Sequence, residues 1–319
     1  MSDATRPEVR HIYQNHHLDT TRWDCFKPRP GDIVISTSYK AGTTLTQTIV
    51  ANLLFPHGLP GPVMDLSPWL DMRIGAPLDA LLTGLEAQTS RRFIKTHLPL
   101  DGIPYFDEIQ YIVVGRDPRD VFMSLLNHWG KHTALFYETI NGPDRPGPAF
   151  PHFDGDIPRI WREWITRGWF DWESDGYPYW SHLHHAKTWW EFRHLPNMRL
   201  IHYADLRRDL EGEMRRLADW LNIIVPEDRW PAVVEACRFE TVKADPEKVL
   251  GARMADFWEG GGQTFVFKGT NGRWKDVLTS DDLGLYEAAM KKTLAPDCAG
   301  WLEDGGAYAL DSAPALATS

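Results

Sequence analysis

Four short apolar runs, Ile33–Ser36, Arg92–Lys95, Tyr111–Val114 and Arg199–His202, punctuate the chain. Rich in aliphatic and aromatic residues and too short for buried helices, they predict buried strands. Between them the apolar positions recur at helical spacing. Thr43–Leu54 carries Leu45, Ile49, Leu53 and Leu54; Arg119–Asn127 carries Val121, Phe122, Leu125 and Leu126. His182–Phe192 and Arg208–Leu221 are further helices, the last with Leu210, Met214, Leu217 and Leu221 near i, i+4, i+7, i+11. Strands alternating with helices predict an α/β fold, a central and mostly parallel sheet flanked by helices on both faces. The 319 residues suffice for one large domain or two smaller ones, and no low-complexity linker or internal repeat divides them.

From Gly142 to Pro196 the pattern changes to a dense run of aromatics. Ile160, Trp161, Trp164 and Ile165 have helical spacing and read as core, as do Trp189, Trp190 and Phe192. The stretch NGPDRPGPAFPHFDGDIP, residues 141–158, reads as a long loop, a length often used for lids or binding.

Candidate chemistry sits where strands end. After the first strand comes a turn, Ser36 to Gly42, with Lys40 in it, and Thr43 and Thr44 then open a helix. Free N–H groups at a helix start, the helix dipole, a lysine and two hydroxyls favour phosphate. Lys40 precedes Gly42, so this is not the G-x-x-x-x-G-K-[ST] loop. On this segment alone an ordinary βα turn with a surface lysine fits equally well. A second segment, QYIVVGRDPRDVFMSLLNHW, puts Arg116 at a strand's carboxyl end, Asp117 and Pro118 as a helix start, and Ser124 two turns into that helix. Arg116 and Ser124 suit a second phosphate. A third, KGTNGRWK from Lys268 to Lys275, has two glycines three apart among basic residues, whose amides suit an anion.

Together these segments resemble the cytosolic sulfotransferase family, which uses 3′-phosphoadenosine 5′-phosphosulfate (PAPS). The motif Y-P-K-S-G-T-T-W is met by Ser38, Tyr39, Lys40, Ala41, Gly42, Thr43, Thr44 and Leu45. Arg116 and Ser124 keep the family's spacing of eight, and Phe267, Lys268, Gly269, Gly272, Trp274 and Lys275 meet its late R-K-G-x-x-G-x-W-K motif. FIKTHLP supplies Lys95 and His97 of K-T-H-L-P, and LIHYADLRRDL puts Tyr203 near the adenine. The resemblance implies a single P-loop-like domain over residues 22–305, an N-terminal extension at 1–21 and a tail at 306–319. It implies sulfuryl transfer from PAPS, without a metal, to a hydroxyl or an amine of an aromatic or apolar small molecule. His97 would be the base, and Lys40 and Lys95 would stabilise developing charge. Gly42, Thr43 and Thr44 would hold the 5′-phosphate and Arg116, Ser124, Lys268 and Gly269 the 3′-phosphate, with Lys40, Ala41, Leu45, Tyr203, Phe239 and Phe267 as further cofactor-binding positions. By position, the 142–158 loop resembles the family's cover over the acceptor.

Several positions depart from the pattern. Leu45 stands where the family has the Trp that stacks on adenine, leaving Phe239 as the candidate for that role. Tyr39 and Ala41 replace Pro and Ser in the turn, and Phe267 replaces Arg in the late motif. The family's dimer motif is degraded at Ser280 and Gly284, which leaves a homodimer open. Two rival readings remain, an ATP- and magnesium-dependent P-loop phosphotransferase and a PAPS-binding member without activity.

A formal net charge of −10 argues against a nucleic-acid binder. Cys25, Cys237 and Cys298 lie far apart, without metal-ligand spacing or an even disulfide set, as in a reduced cytoplasmic chain. The polar start MSDATRPEVR is unlike a signal peptide, and no apolar run reaches membrane-spanning length. Among 13 histidines, His182, His184 and His185 cluster, yet no H-E-x-x-H or cysteine pair joins them, and they read as hydrogen-bonded histidines.

Overall fold

The computed structural model of the chain describes residues 6–251 and 256–308. Four strands, β1 (Ile33–Thr37), β2 (Phe93–Thr96), β3 (Gln110–Gly115) and β4 (Met198–His202), form one sheet in the order β2-β1-β3-β4. Every pairing is parallel, with Val34 opposite Ile94 and Tyr111, and Val113 opposite Leu200. Each strand thus lies within a residue or two of its predicted position.

Successive strand side chains point to opposite faces, and the core divides accordingly. Val34, Ile94, Tyr111, Val113 and Leu200 face one apolar layer; Ile33, Ile35, Phe93, Ile112 and Val114 face the other. The helices that bear on the site are α1 (Thr43–Leu54), α2 (Pro118–Trp129), α3 (Ile157–Thr166), α4 (His182–Trp190), α5 (Leu210–Leu221), α6 (Trp230–Ala236), α7 (Ser280–Thr293) and α8 (Pro296–Asp304). Helices α1, α5 and α6 cover the second layer; α2, α3, α4, α7 and α8 cover the first. Both faces are therefore buried, which is why the strands read as continuous apolar runs.

Local chemistry sets the helix ends. Asp117 caps α2 by accepting from the Arg119 N–H, with Pro118 at the first helical position. The helix expected from Arg208 begins instead at Leu210. Asp209 leaves helical geometry and accepts from the Gly212 N–H at 3.0 Å, so a separate short helix, Tyr203–Arg208, precedes it. Tyr13 and Leu18, expected in an extension, are fully buried in the first layer. Of the expected tail, Tyr308 packs on Trp190 and Trp301, while 309–319 lies outside the described residues. Among the described residues no helix is long and apolar enough to cross a membrane.

At the edge of the sheet opposite the strands' carboxyl ends, Arg92 and Asp32 form a buried ion pair, with Nε donating to Oδ1 at 2.9 Å. Asp32→Ala strands the Arg92 charge, leaving it the Lys27 carbonyl at 2.8 Å and Glu86 at 3.7 Å. The expected loss is about 3–5 kcal/mol by urea unfolding, and Asp32→Leu combined with Arg92→Met recovers much of it.

Candidate active site

The carboxyl ends of all four strands meet at one place. After β1, Ser38–Gly42 turn the chain into α1, with Lys40 at φ 58° and Gly42 at φ 119°. Both lie in the left-handed region, and at position 42 only glycine fits, because a Cβ would come 2.9 Å from the Tyr203 ring. No side chain caps α1. Its first N–H groups, at Thr43 and Thr44, are free for an anion. The Lys40 ammonium rests over the Phe265 ring at 4.6 Å and 3.5 Å from His128 Nδ1. Enclosure, with Arg116 and Lys95 nearby, pushes its pKa down to about 7.

At the end of β2, Lys95 lies 4.3 Å from the Trp69 ring centroid, and burial lowers it to about 8 although Asp71 works the other way. Two residues on, His97 Nδ1 donates to the Thr37 carbonyl at 2.7 Å. That bond fixes the tautomer and leaves Nε2 without a proton. Burial and the Lys95 charge hold His97 well below its ordinary range, so it is neutral at pH 7. Asp71 stands behind both residues, accepting from Trp69 Nε1 at 2.7 Å, Trp23 Nε1 at 3.2 Å and the His97 N–H at 3.4 Å.

Arg116 follows β3, in the crevice between β1 and β3 where the strand order reverses, the ligand position of open α/β sheets. Its Nη1 donates to the Lys40 carbonyl at 2.8 Å and its Nη2 to Asn271 at 3.0 Å. Its Cζ lies 4.3 Å from the ring centroid of Tyr203, which follows β4, and its Nε is sealed without a partner among the described residues. The late segment closes this end. Gly269, at φ 61°, packs so tightly on Phe239 that a Cβ would lie 2.7 Å from the ring.

These residues line a cavity of about 610 Å³. Of the sequence candidates, Lys40, Gly42, Thr43, Thr44, Leu45, Lys95, His97, Arg116, Ser124, Tyr203, Phe239, Phe267, Lys268 and Gly269 all border it. Ala41 does not; it is fully buried. Nothing from 142–158 borders it either, because Phe150 is buried and both its N–H and its carbonyl are bonded to Asn141. Its apolar walls come instead from Trp69, Met72, Trp180, Trp258 and Phe265. The sequence reading also passed over His17, His128, Asp120 and Arg273 as lining residues, although all but His17 stood inside quoted segments. The three clustered histidines are committed separately, His182 to the Arg116 carbonyl, His184 to Asp101 and His185 to Ser36.

Residues 30–296 match the family described as "Sulfotransferase domain". A "Glycolipid sulfotransferase" of Mycobacterium bovis is 33% identical over 93% of this chain and 95% of its own length. "Sulfotransferase 1B1" of Mus musculus is 25% identical, covering 87% of each chain. A retinol dehydratase crystallised with androsterone and the inactive cofactor PAP superposes with a TM-score of 0.65 at 24% identity, over 86% of this chain and 84% of that one. With that likeness in fold, and a match spanning most of the sequence, the chain belongs to the sulfotransferase family, and it is an enzyme of that family.

Proposed function

We propose that the enzyme transfers a sulfuryl group from PAPS to a hydroxyl of an acceptor with an apolar or aromatic body, with His97 as the base. The observation that carries this reading is one neutral histidine, with its Nε2 unprotonated, between two enclosed lysines at the carboxyl edge of the sheet. The relative named a glycolipid sulfotransferase supports a hydroxyl on an amphiphile as acceptor.

The residues present fit a bisphosphate. The Lys40 turn and the start of α1 form one anion site; Arg116, Ser124, Lys268 and Gly269 form another. Tyr203 and Phe239 border the space between as adenine neighbours, in place of the family Trp at position 45. When bound, PAPS supplies an electrophilic sulfur on a phosphate leaving group.

In the transfer, the acceptor oxygen bonds to sulfur as its proton passes to His97 Nε2 and the bond from sulfur to the phosphate oxygen breaks. The Thr37 carbonyl holds the imidazole in register and stabilises its protonated form through Nδ1–H. Lys40 and Lys95 lie where charge develops on the leaving and sulfuryl oxygens. The aromatic walls exclude water from that exchange.

His97→Ala is expected to lower kcat by about 10²–10⁴-fold with PAP affinity retained. Lys40→Ala is expected to lower it by about 10²-fold or more and to weaken PAP binding as well. Labelled-sulfate transfer with calorimetry of PAP binding checks both; wild-type rates in His97→Ala would exclude it as the base. The lysines add a pH signature. In the free protein Lys40 and Lys95 titrate near 7 and 8. A bound anion raises both pKa values, so the complex holds more protons than the free protein between about pH 7 and 9. Binding at pH 8 should then take up about one proton and weaken as pH rises through that window. Calorimetry in two buffers of different ionisation enthalpy reads this directly, and zero uptake would contradict it.

A further inference from the structure

Several polar side chains in and around the cavity are already bound to the protein itself. His16, next to the cavity-lining His17, donates from Nε2 to the Pro178 carbonyl at 2.7 Å, and Gln47 donates to the Ser67 carbonyl at 3.0 Å. Arg116 is bound most fully. Its Nη1 and Nη2 hold the Lys40 carbonyl and Asn271, and its Nε is sealed. It thus ties the turn after β1 to the late loop and has few donors left for a ligand. A second bond holds the same loop: the Gly272 N–H donates to Asp120 Oδ1 at 2.7 Å. Gly272 turns the chain at φ 82°, and Arg273 follows it.

Arg273 is in the opposite state. It borders the cavity, half-buried, and among the described residues its guanidinium makes no hydrogen bond and no ion pair. Its Cζ lies 5.2 Å from the Phe267 ring centroid, and Lys268 Nζ lies 5.2 Å from the same ring. It also stands near Arg116: burial lowers the Arg116 pKa, and the Arg273 charge lowers it further. Two guanidinium groups and an ammonium therefore share one end of the cavity, while Asp120 gives an oxygen to the loop backbone. An arginine whose donors are all unused offers a planar fork of N–H groups that matches two oxygens of a phosphate, where a lysine offers a point charge.

We propose that Arg273 clamps the 3′-phosphate of the nucleotide, making the contact that Phe267 cannot make from the position where the family motif has an arginine, and so sets the preference for a 3′-phosphorylated nucleotide. Arg116 then holds the Lys40 turn and the late loop in register and adds its charge to the site. Because the Arg273 guanidinium lies beside the Phe267 ring, an arginine at either position reaches the same neighbourhood. This inference rests on the bisphosphate reading given above.

Three nucleotides separate the contributions. Adenosine 5′-monophosphate lacks the 3′-phosphate of PAP, and adenosine 2′,5′-bisphosphate carries the same charge elsewhere on the ribose. By calorimetry the wild type should bind PAP at least about 100-fold more tightly than the monophosphate. Arg273→Gln should shrink that ratio about 10-fold or more while keeping the monophosphate affinity within about 2-fold, which also shows that the variant is folded. Arg273→Lys should recover only part of the ratio, because an ammonium cannot form the fork, whereas Phe267→Arg added to Arg273→Gln should recover most of it. Equal wild-type affinity for PAP and the monophosphate, a ratio unmoved by Arg273→Gln, or an equal fall for both bisphosphates would overturn the inference. Absence of sulfate transfer from labelled PAPS would count against the reaction proposed above, while the ratio of PAP to monophosphate binding still decided this inference.

Discussion

Enclosing Lys40, Lys95 and Arg116 together is the constraint on which the rest of the site depends. Charges of one sign withdrawn from bulk water repel one another, and each loses hydration. Lys95 has Asp71 and Arg116 has Asp120 nearby, but Lys40 has an aromatic face and a neutral imidazole and no ion pair among the described residues. Two packed apolar layers hold the strand ends rigid enough to keep these groups in place. The positive field is local: the whole chain is acidic, at −10. The arrangement is least favourable when free and is relieved by an anion, as expected of a binding site.

The turn around Lys40 shows how packing enforces this. Arg116 holds the Lys40 carbonyl and sits over Tyr203, whose ring occupies the room a Cβ on Gly42 would need. The ends of β1, β3 and β4 are thus locked to one another through two side chains, one backbone carbonyl and one missing side chain. Phe239 on Gly269 repeats the device on the other side.

Much of this was legible in the residues. The strands, buried on both faces, announce themselves as apolar runs, and the groups that follow β1, β2 and β3 stand in short motifs, so Lys40, His97 and Arg116 were found together. What was not legible depends on distant segments meeting. His17 stands in no motif, and His128, though near the end of a quoted segment, has no spacing that marks it; both line the cavity because a segment before β1 and the last turn of α2 face the same space. The 141–158 stretch looked like a cover by composition, yet Phe150 and its two bonds to Asn141 fasten it to the core. Asp209 is equally able to sit inside a helix or begin one, and only its bond to Gly212 decides.

The bond from His16 to the Pro178 carbonyl carries a consequence for how such proteins are divided. The family match begins at residue 30, yet this bond ties the preceding segment to the segment around Pro178, and His17 stands in the cavity wall. The unit that the family match spans is therefore smaller than the unit that encloses the cavity. A fragment trimmed to the recognisable boundary would keep every motif residue and lose one wall of the pocket. Two relatives with identical motifs and different leading segments would then differ in what they accept.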